Sequence, residues 1–247
     1  MIVHDWIVPD WPAPRTLRAV STTPSGGVSV PPYSSMNPAA HVGDAEIAVA
    51  RNRSLLVSEL GLPSAPYWLQ QVHGNKVVAA GQGDSLPEAD AAWTATPGTV
   101  CAVLTADCLP VLLCDEGGSC VAAIHAGWRG LAAGVIEQAV AALPVAPDRL
   151  LAWLGPAIGP LAFVVGDEVR EAFIGQLASA SAAFRPATAG GWHADLYRLA
   201  RQRLGLLGVA RVSGGGWCTY RDPERFFSYR RDSVTGRMAT LIWLAEA

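Results

Sequence analysis

Three short motifs carry the residues best suited to chemistry: "QVHG" with His73, "TADCLP" with Asp107 and Cys108, and "AIHAG" with His125. Asp107 and Cys108 sit between two apolar runs, where neither a charge nor a thiolate is stable without a partner. Two imidazoles and one thiolate supply three of the four ligands of a tetrahedral zinc, leaving the fourth position to water or substrate as catalytic sites do. The same three residues also make a Cys–His nucleophile pair that needs no metal. Their wide separation along the chain leaves both readings open.

Three further groups could bind a ligand. In "HAGWRG" a strand ends, glycine turns the chain and a helix starts near Trp128. Arg129 in its first turn opposes the helix dipole, so a bound anion would account for it. In "FFSYRRD", Phe226–Asp232, aromatic and guanidinium faces suit a flat anionic ligand, with Phe227 and Tyr229 as stacking candidates. The competing reading is a core pair, Phe226 and Phe227, beside a surface ion pair of Arg231 and Asp232. The loop "SSMNPAAHVGD" offers Asn37, His41 and Asp44, with His41 read as solvated or capping.

These residues need a scaffold. Residues 21–43 are rich in Gly, Pro and Ser and read as a long loop. A helix follows, with Asp44 as N-cap, Ile47, Leu55, Leu56 and Leu60 at near-helical spacing and Gly61 as the stop. Strands are expected at Tyr67–Val72 and Lys76–Ala80, with a turn at His73–Asn75. Three more are expected at Val100–Thr105, Leu109–Cys114 and Cys120–His125, the last two joined at Gly117–Gly118. A helix of about 15 residues is expected after Gly127. The second half holds a strand in "LLAWLGPAIG", helices in "GDEVREAFIGQLA" and "ADLYRLARQRLGLLG", and a closing strand in "GRMATLIWL". Helices and strands intermix without βαβ alternation. The expectation is a single α+β domain over residues 1–247, with mixed sheets flanked by helices.

Of 247 residues, 51% are apolar and 16% charged, and the net charge is −3. That balance argues against a nucleic-acid surface or a polybasic membrane face. The N-terminal stretch lacks a basic region before its apolar residues, and no run reaches the roughly 20 apolar residues of a membrane helix. Five cysteines, an odd number, fit a reducing compartment, so a cytoplasmic protein is expected.

"QVHG", "TADCLPVLL", "AAIHAGWRG", "WLGPAIGP", "FFSYRRD" and "TGRMA" occur in this order. As an ordered set they closely resemble the YfiH-type family, once described as laccase-domain polyphenol oxidoreductases and now as purine nucleoside phosphorylases with adenosine deaminase activity. The resemblance implies a metal site of His73, Cys108 and His125. It implies zinc as the cofactor, with copper as the alternative. It also implies purine nucleosides (adenosine, inosine, methylthioadenosine) and phosphate as substrates. For that chemistry residue type suggests Arg129 as the phosphate anchor, Asn37, Phe227 and Tyr229 as further binding residues, and Asp107 or a metal-bound water as the source of the departing purine's proton. Some relatives are described as peptidoglycan editing factors, which keeps a Cys108-dependent hydrolase in view. Where relatives carry Glu after the aromatic residue that follows "GPAIGP", this chain has Val164. A full multicopper laccase site consumes about ten histidines; this chain has five.

Overall fold

The computed structural model describes residues 4–82 and 86–245. Its architecture is α+β, built in layers. A six-stranded sheet contains β2 (Val77–Ala79), β3 (Ala91–Thr94), β5 (Leu109–Asp115), β6 (Val121–Ala126), β7 (Leu150–Leu154) and β11 (Arg211–Gly214), in the order β11-β7-β5-β6-β3-β2. A three-stranded sheet packs on it: β1 (Leu17–Ser21), β12 (Met238–Leu244) and β4 (Val100–Thr105), in the order β1-β12-β4 and antiparallel throughout. Strands β4, β5, β6, β7 and β12 are buried on both faces, so they read as continuous apolar runs rather than alternating ones.

Alternation along each strand divides these apolar residues between two layers. Cys101 and Val103 of β4 meet Leu112, Ala123 and Trp153 between the sheets. Val100, Ala102 and Leu104 face α1 (Glu46–Leu60) on the outside. On the far side of the large sheet, Val111, Leu113 and Ile124 pack against α3 (Val135–Ala142), α4 (Asp167–Ile174) and α5 (Leu196–Leu206). The short helix α2 (Trp128–Ala132) follows β6 directly.

Several elements differ from the sequence expectations. Tyr67–Val72 forms only single bridges, Tyr67 to Cys101 and Gln70 to Glu88. The Gln71 side chain substitutes for a ladder there, exchanging two 2.8 Å hydrogen bonds with the backbone of Leu104. The helix expected after Gly127 is two helices, because Gly134 takes φ +88° between α2 and α3. Asp44 is not the N-cap of α1. Ala45 holds that position, and Asp44 accepts from Ser29 and Asn37 instead. Ile47 faces solvent, while Gly61 ends the helix with φ +56° as expected. Two features carried no clear signal: β3, and a small sheet of β8 (Val164–Val165), β10 (Trp192–Ala194) and β9 (Phe184–Pro186).

Candidate active site

The stretch "TADCLP" is the crossover from the small sheet to the large one. β4 ends at Thr105 and β5 begins at Leu109. The chain turns at Asp107, whose φ of +88° is rare outside glycine. Both carboxylate oxygens of Asp107 are committed: Oδ1 accepts from the Thr219 hydroxyl at 2.6 Å and Oδ2 from the Arg230 amide at 2.7 Å. Asp107 therefore pins the C-terminal loop to the crossover and leaves Cys108 projecting into the gap beyond.

His125 is the penultimate residue of β6 and shares strand parity with Val121 and Ala123, which puts it on the face toward the small sheet. His73 lies on the loop before β2 with φ +62°. Asp90, fully buried just before β3, holds this loop: it accepts from the His73 amide at 2.9 Å, the Gly74 amide at 2.6 Å and the Val72 amide at 3.3 Å. Asp90 Oδ1 also lies 2.8 Å from His125 Nδ1.

The three side chains converge. Cys108 Sγ is 3.8 Å from His73 Nε2, and the two imidazole rings meet edge-on with centroids 4.8 Å apart. One donor atom from each residue lies within 4.8 Å of the other two. Zinc bound at ordinary lengths separates its N and S donors by about 3.5 Å. The set closes on such an ion with small side-chain movements, and the carboxylate on His125 is the usual orienting partner of a metal-bound imidazole. Residues and geometry therefore fit a zinc or copper ion.

The electrostatics separate Cys108 from the other thiols. Burial opposes its thiolate, but the His125 and His73 rings outweigh that and lower its pKa. Burial likewise opposes a charged His125, yet Cys108 and Asp90 outweigh it and raise the ring's pKa. Each group thus favours the charged form of the other. Burial without such partners pushes Cys114 up to about 12 and Cys120 up to about 11, and Cys101 higher still. These are inert core residues. Asp90 is held below the ordinary carboxylate range: burial raises it, and the His125 ring and loop amides more than compensate.

The triad opens onto a cavity of about 500 Å³, within the usual range for small-molecule sites. Trp128, Phe163 and Tyr229 supply aromatic walls, and Arg129, Arg230 and Arg237 supply positive charge. Arg129 is exposed, its guanidinium 4.4 Å above the Trp128 ring. Tyr229 is 58% exposed and lines the cavity. His41 also lines it. Burial, with Arg237 and Arg53 nearby, lowers its pKa and favours the neutral ring.

Two expected binding residues lie elsewhere. Asn37 is fully buried; its side chain bonds to Ala39, Asp44 and the Arg237 amide, so it organises the protein and has no group left for a ligand. Phe227 is a core residue packed with Ala106, Phe226 and Met238, as the competing reading of "FFSYRRD" had it. Arg231 pairs with Asp232 at 2.8 Å, also on that reading. Val164 presents its carbonyl to Arg230 Nη1 at 2.8 Å and is not part of the cavity lining. Sequence reasoning missed Asp90 and Arg237, while Arg230 is one of the two guanidinium groups it drew from "FFSYRRD". "TGRMA" contains Arg237, but an arginine beside glycine has no distinctive signature, and Asp90 is one acid in "EADAAW".

This fold and triad define a known class. The family described as multi-copper polyphenol oxidoreductase laccase matches residues 18–245. The chain belongs to that family, the YfiH-type proteins. Among its relatives, the purine nucleoside phosphorylase PA4543 of Pseudomonas aeruginosa is 56% identical over 245 residues, spanning 99% of this chain and all of that protein. The purine nucleoside phosphorylase YfiH of Escherichia coli is 56% identical over 239 residues, covering 96% of this chain and 98% of that one. The crystal structure of Neisseria meningitidis protein NMB0706 superposes with a TM-score of 0.93 at 46% identity, covering 98% of this chain and all of that one. YlmD from Geobacillus stearothermophilus gives 0.93 at 30% identity, covering all of this chain and 98% of that one. No helix among the described residues is long and apolar enough to cross a membrane.

Proposed function

We propose that the chain is a purine nucleoside phosphorylase: phosphate attacks the ribose C1′ of a purine nucleoside, releasing the free base and ribose 1-phosphate. The observation that carries this reading is the end-to-end match, at 56% identity, to a protein of that name. The cavity agrees with it. Its volume suits a nucleoside, Trp128, Phe163 and Tyr229 offer faces for the base, and the arginines around it, Arg129 among them, suit phosphate. Adenosine, inosine and methylthioadenosine are the proposed nucleosides, and deamination of adenosine a second activity.

His73, Cys108 and His125 would hold zinc, or copper in its place. When bound, that metal supplies a Lewis acid that polarises a substrate oxygen or activates water. The chain's own contribution is placement. Asp107 fixes the loop bearing Tyr229 and Arg230 against the crossover, so that the aromatic and cationic walls face Cys108.

A thiolate nucleophile at Cys108 is the second reading, favoured by the lowered pKa of that thiol. It would make the chain a hydrolase of the peptidoglycan-editing kind. Incubating inosine and adenosine with and without phosphate separates the readings. Free base and ribose 1-phosphate that form only with phosphate support phosphorolysis. Intact nucleosides alongside a cleaved peptidoglycan precursor would sink it.

A further inference from the structure

We infer that Asp90 is a positioning residue that sets both imidazoles of the triad at once, fixing the tautomer of His125 and the backbone of His73. Two independent sets of contacts meet on one fully buried carboxylate. Oδ1 accepts at 2.8 Å from His125 Nδ1, which therefore carries a proton and leaves Nε2, toward Cys108 and the cavity, as the nitrogen a bound metal would take. On the other side, Asp90 gathers three successive amides, Val72, His73 and Gly74, at 2.6–3.3 Å. These amides belong to the turn in which His73 adopts φ +62°, a conformation that is strained for a non-glycine residue and persists only when its surroundings hold it. Asp90 is what holds it.

The chemistry admits no neutral replacement. Every group facing Asp90 is a donor: three amides and one ring N–H. A carboxylate offers acceptors to all four. An asparagine offers one acceptor oxygen and must turn its NH₂ against the rest. If the NH₂ faces His125, the ring must accept at Nδ1 and carry its proton on Nε2, the nitrogen that a metal needs bare. If it faces Gly74 and Val72, it meets two N–H groups, and the His73 turn opens. Either way one imidazole of the pair is lost as a ligand. Asp90 also joins parts distant in sequence: the loop at 72–74, the start of β3 and the end of β6. One residue thus sets the spacing between rings whose centroids are 4.8 Å apart.

The inference concerns the metal-binding residues and does not depend on which substrate is turned over. Nitrogen-15 spectra of the zinc-loaded full chain test it directly. The expected result is His125 with its proton on Nδ1 and no proton on Nε2. The reverse assignment in the wild type would overturn the inference, whatever any variant does. Zinc affinity of Asp90→Asn and Asp90→Ala, measured by competition with a chromophoric chelator, is expected to fall roughly 10–100-fold. For a merely structural role, the variants would melt at lower temperature yet keep wild-type zinc affinity and the Nδ1–H ring, and that outcome also refutes it. Phosphorolysis is read separately: wild-type protein with the expected ring and no cleavage of inosine refutes the phosphorylase reading and leaves this one standing.

Discussion

Gly127 is packed against Cys108 so closely that a Cβ there would lie 2.9 Å from Sγ, and 3.0 Å from Cδ2 of His73. Its backbone is ordinary, with φ −63° and ψ 159°, a conformation any residue adopts. The glycine is needed for space alone. Gly127→Ala should therefore fold, with a small loss of stability, while pushing the thiolate and one imidazole apart. Zinc stoichiometry measured beside a melting curve checks this: occupancy at micromolar zinc should drop at least tenfold with Tm lowered by only a few degrees. Full occupancy would show that the triad tolerates more movement than the geometry allows.

Cys108 invites a test of ligand against nucleophile. Aspartate can bind a metal and cannot replace a thiolate in covalent catalysis. Cys108→Asp is expected to keep bound zinc and some phosphate-dependent turnover, and Cys108→Ala to lose both. If Cys108→Asp binds zinc fully and releases no base while wild type forms a covalent adduct with substrate, the thiolate is the nucleophile.

The site was only partly legible before folding. Cys108 and the two histidines stood out because their types are scarce and their neighbours are glycine and apolar strand. The strands β4, β5 and β6 that present two of them were legible as buried runs with the Gly117–Gly118 turn between the last two. Asp90 was not, since its role depends on two tertiary partners, one 17 residues before it and one 35 after. Asn37 and Phe227 misled for a related reason. Residue type says that an amide or a ring can bind ligand, and only packing says whether it faces one. Gly134 lay in plain view inside an apparent helix; its positive φ, which breaks the helix in two, is set by how α2 and α3 pack.

Asp115 at the β5–β6 hairpin predicts acid sensitivity away from the site. It is 2% exposed and accepts from the amides of Gly117, Ser119 and Cys120 at 2.6–2.9 Å. Burial raises its pKa, the three amides outweigh that, and the folded value lies below the ordinary 3.8. A depressed folded pKa contributes stability that is fully present above 3.8 and lost as pH falls through the folded value. Asp115→Ala should cost about 1.5–3 kcal/mol at pH 7, the range for hydrogen bonds to a charged group. Urea melts should show this difference constant from pH 7 to 5 and shrinking below pH 4. A difference that grows on acidification would contradict the assignment.

Val164 stands where the family resemblance leads one to expect glutamate, yet only its carbonyl engages the site region, through Arg230 Nη1. Its Cγ1 lies 3.7 Å from where a Cβ on Gly191 would stand, and Val164 is not among the residues lining the cavity. Val164→Glu is expected to change kcat/KM for inosine by less than about fivefold. A rise beyond that would show that a carboxylate at this position reaches substrate.

Phe227 and Tyr229 stand two residues apart and should respond in opposite ways. The Phe227 ring fills the space under Gly236, where a Cβ would lie 2.7 Å from its edge, and its amide donates to Met238 Sδ at 3.2 Å. Phe227→Ala should destabilise the fold by about 3–5 kcal/mol, as for other buried aromatics. The ring of Tyr229 is exposed at the cavity wall, with the Arg237 guanidinium 5.9 Å from it. Tyr229→Ala should leave Tm nearly unchanged and raise KM for the nucleoside about 2–12-fold, the equivalent of the roughly 0.5–1.5 kcal/mol of an aromatic contact. KM for phosphate should not follow it. If the phosphate KM rises instead, Tyr229 serves the cationic wall through Arg237 and not the base.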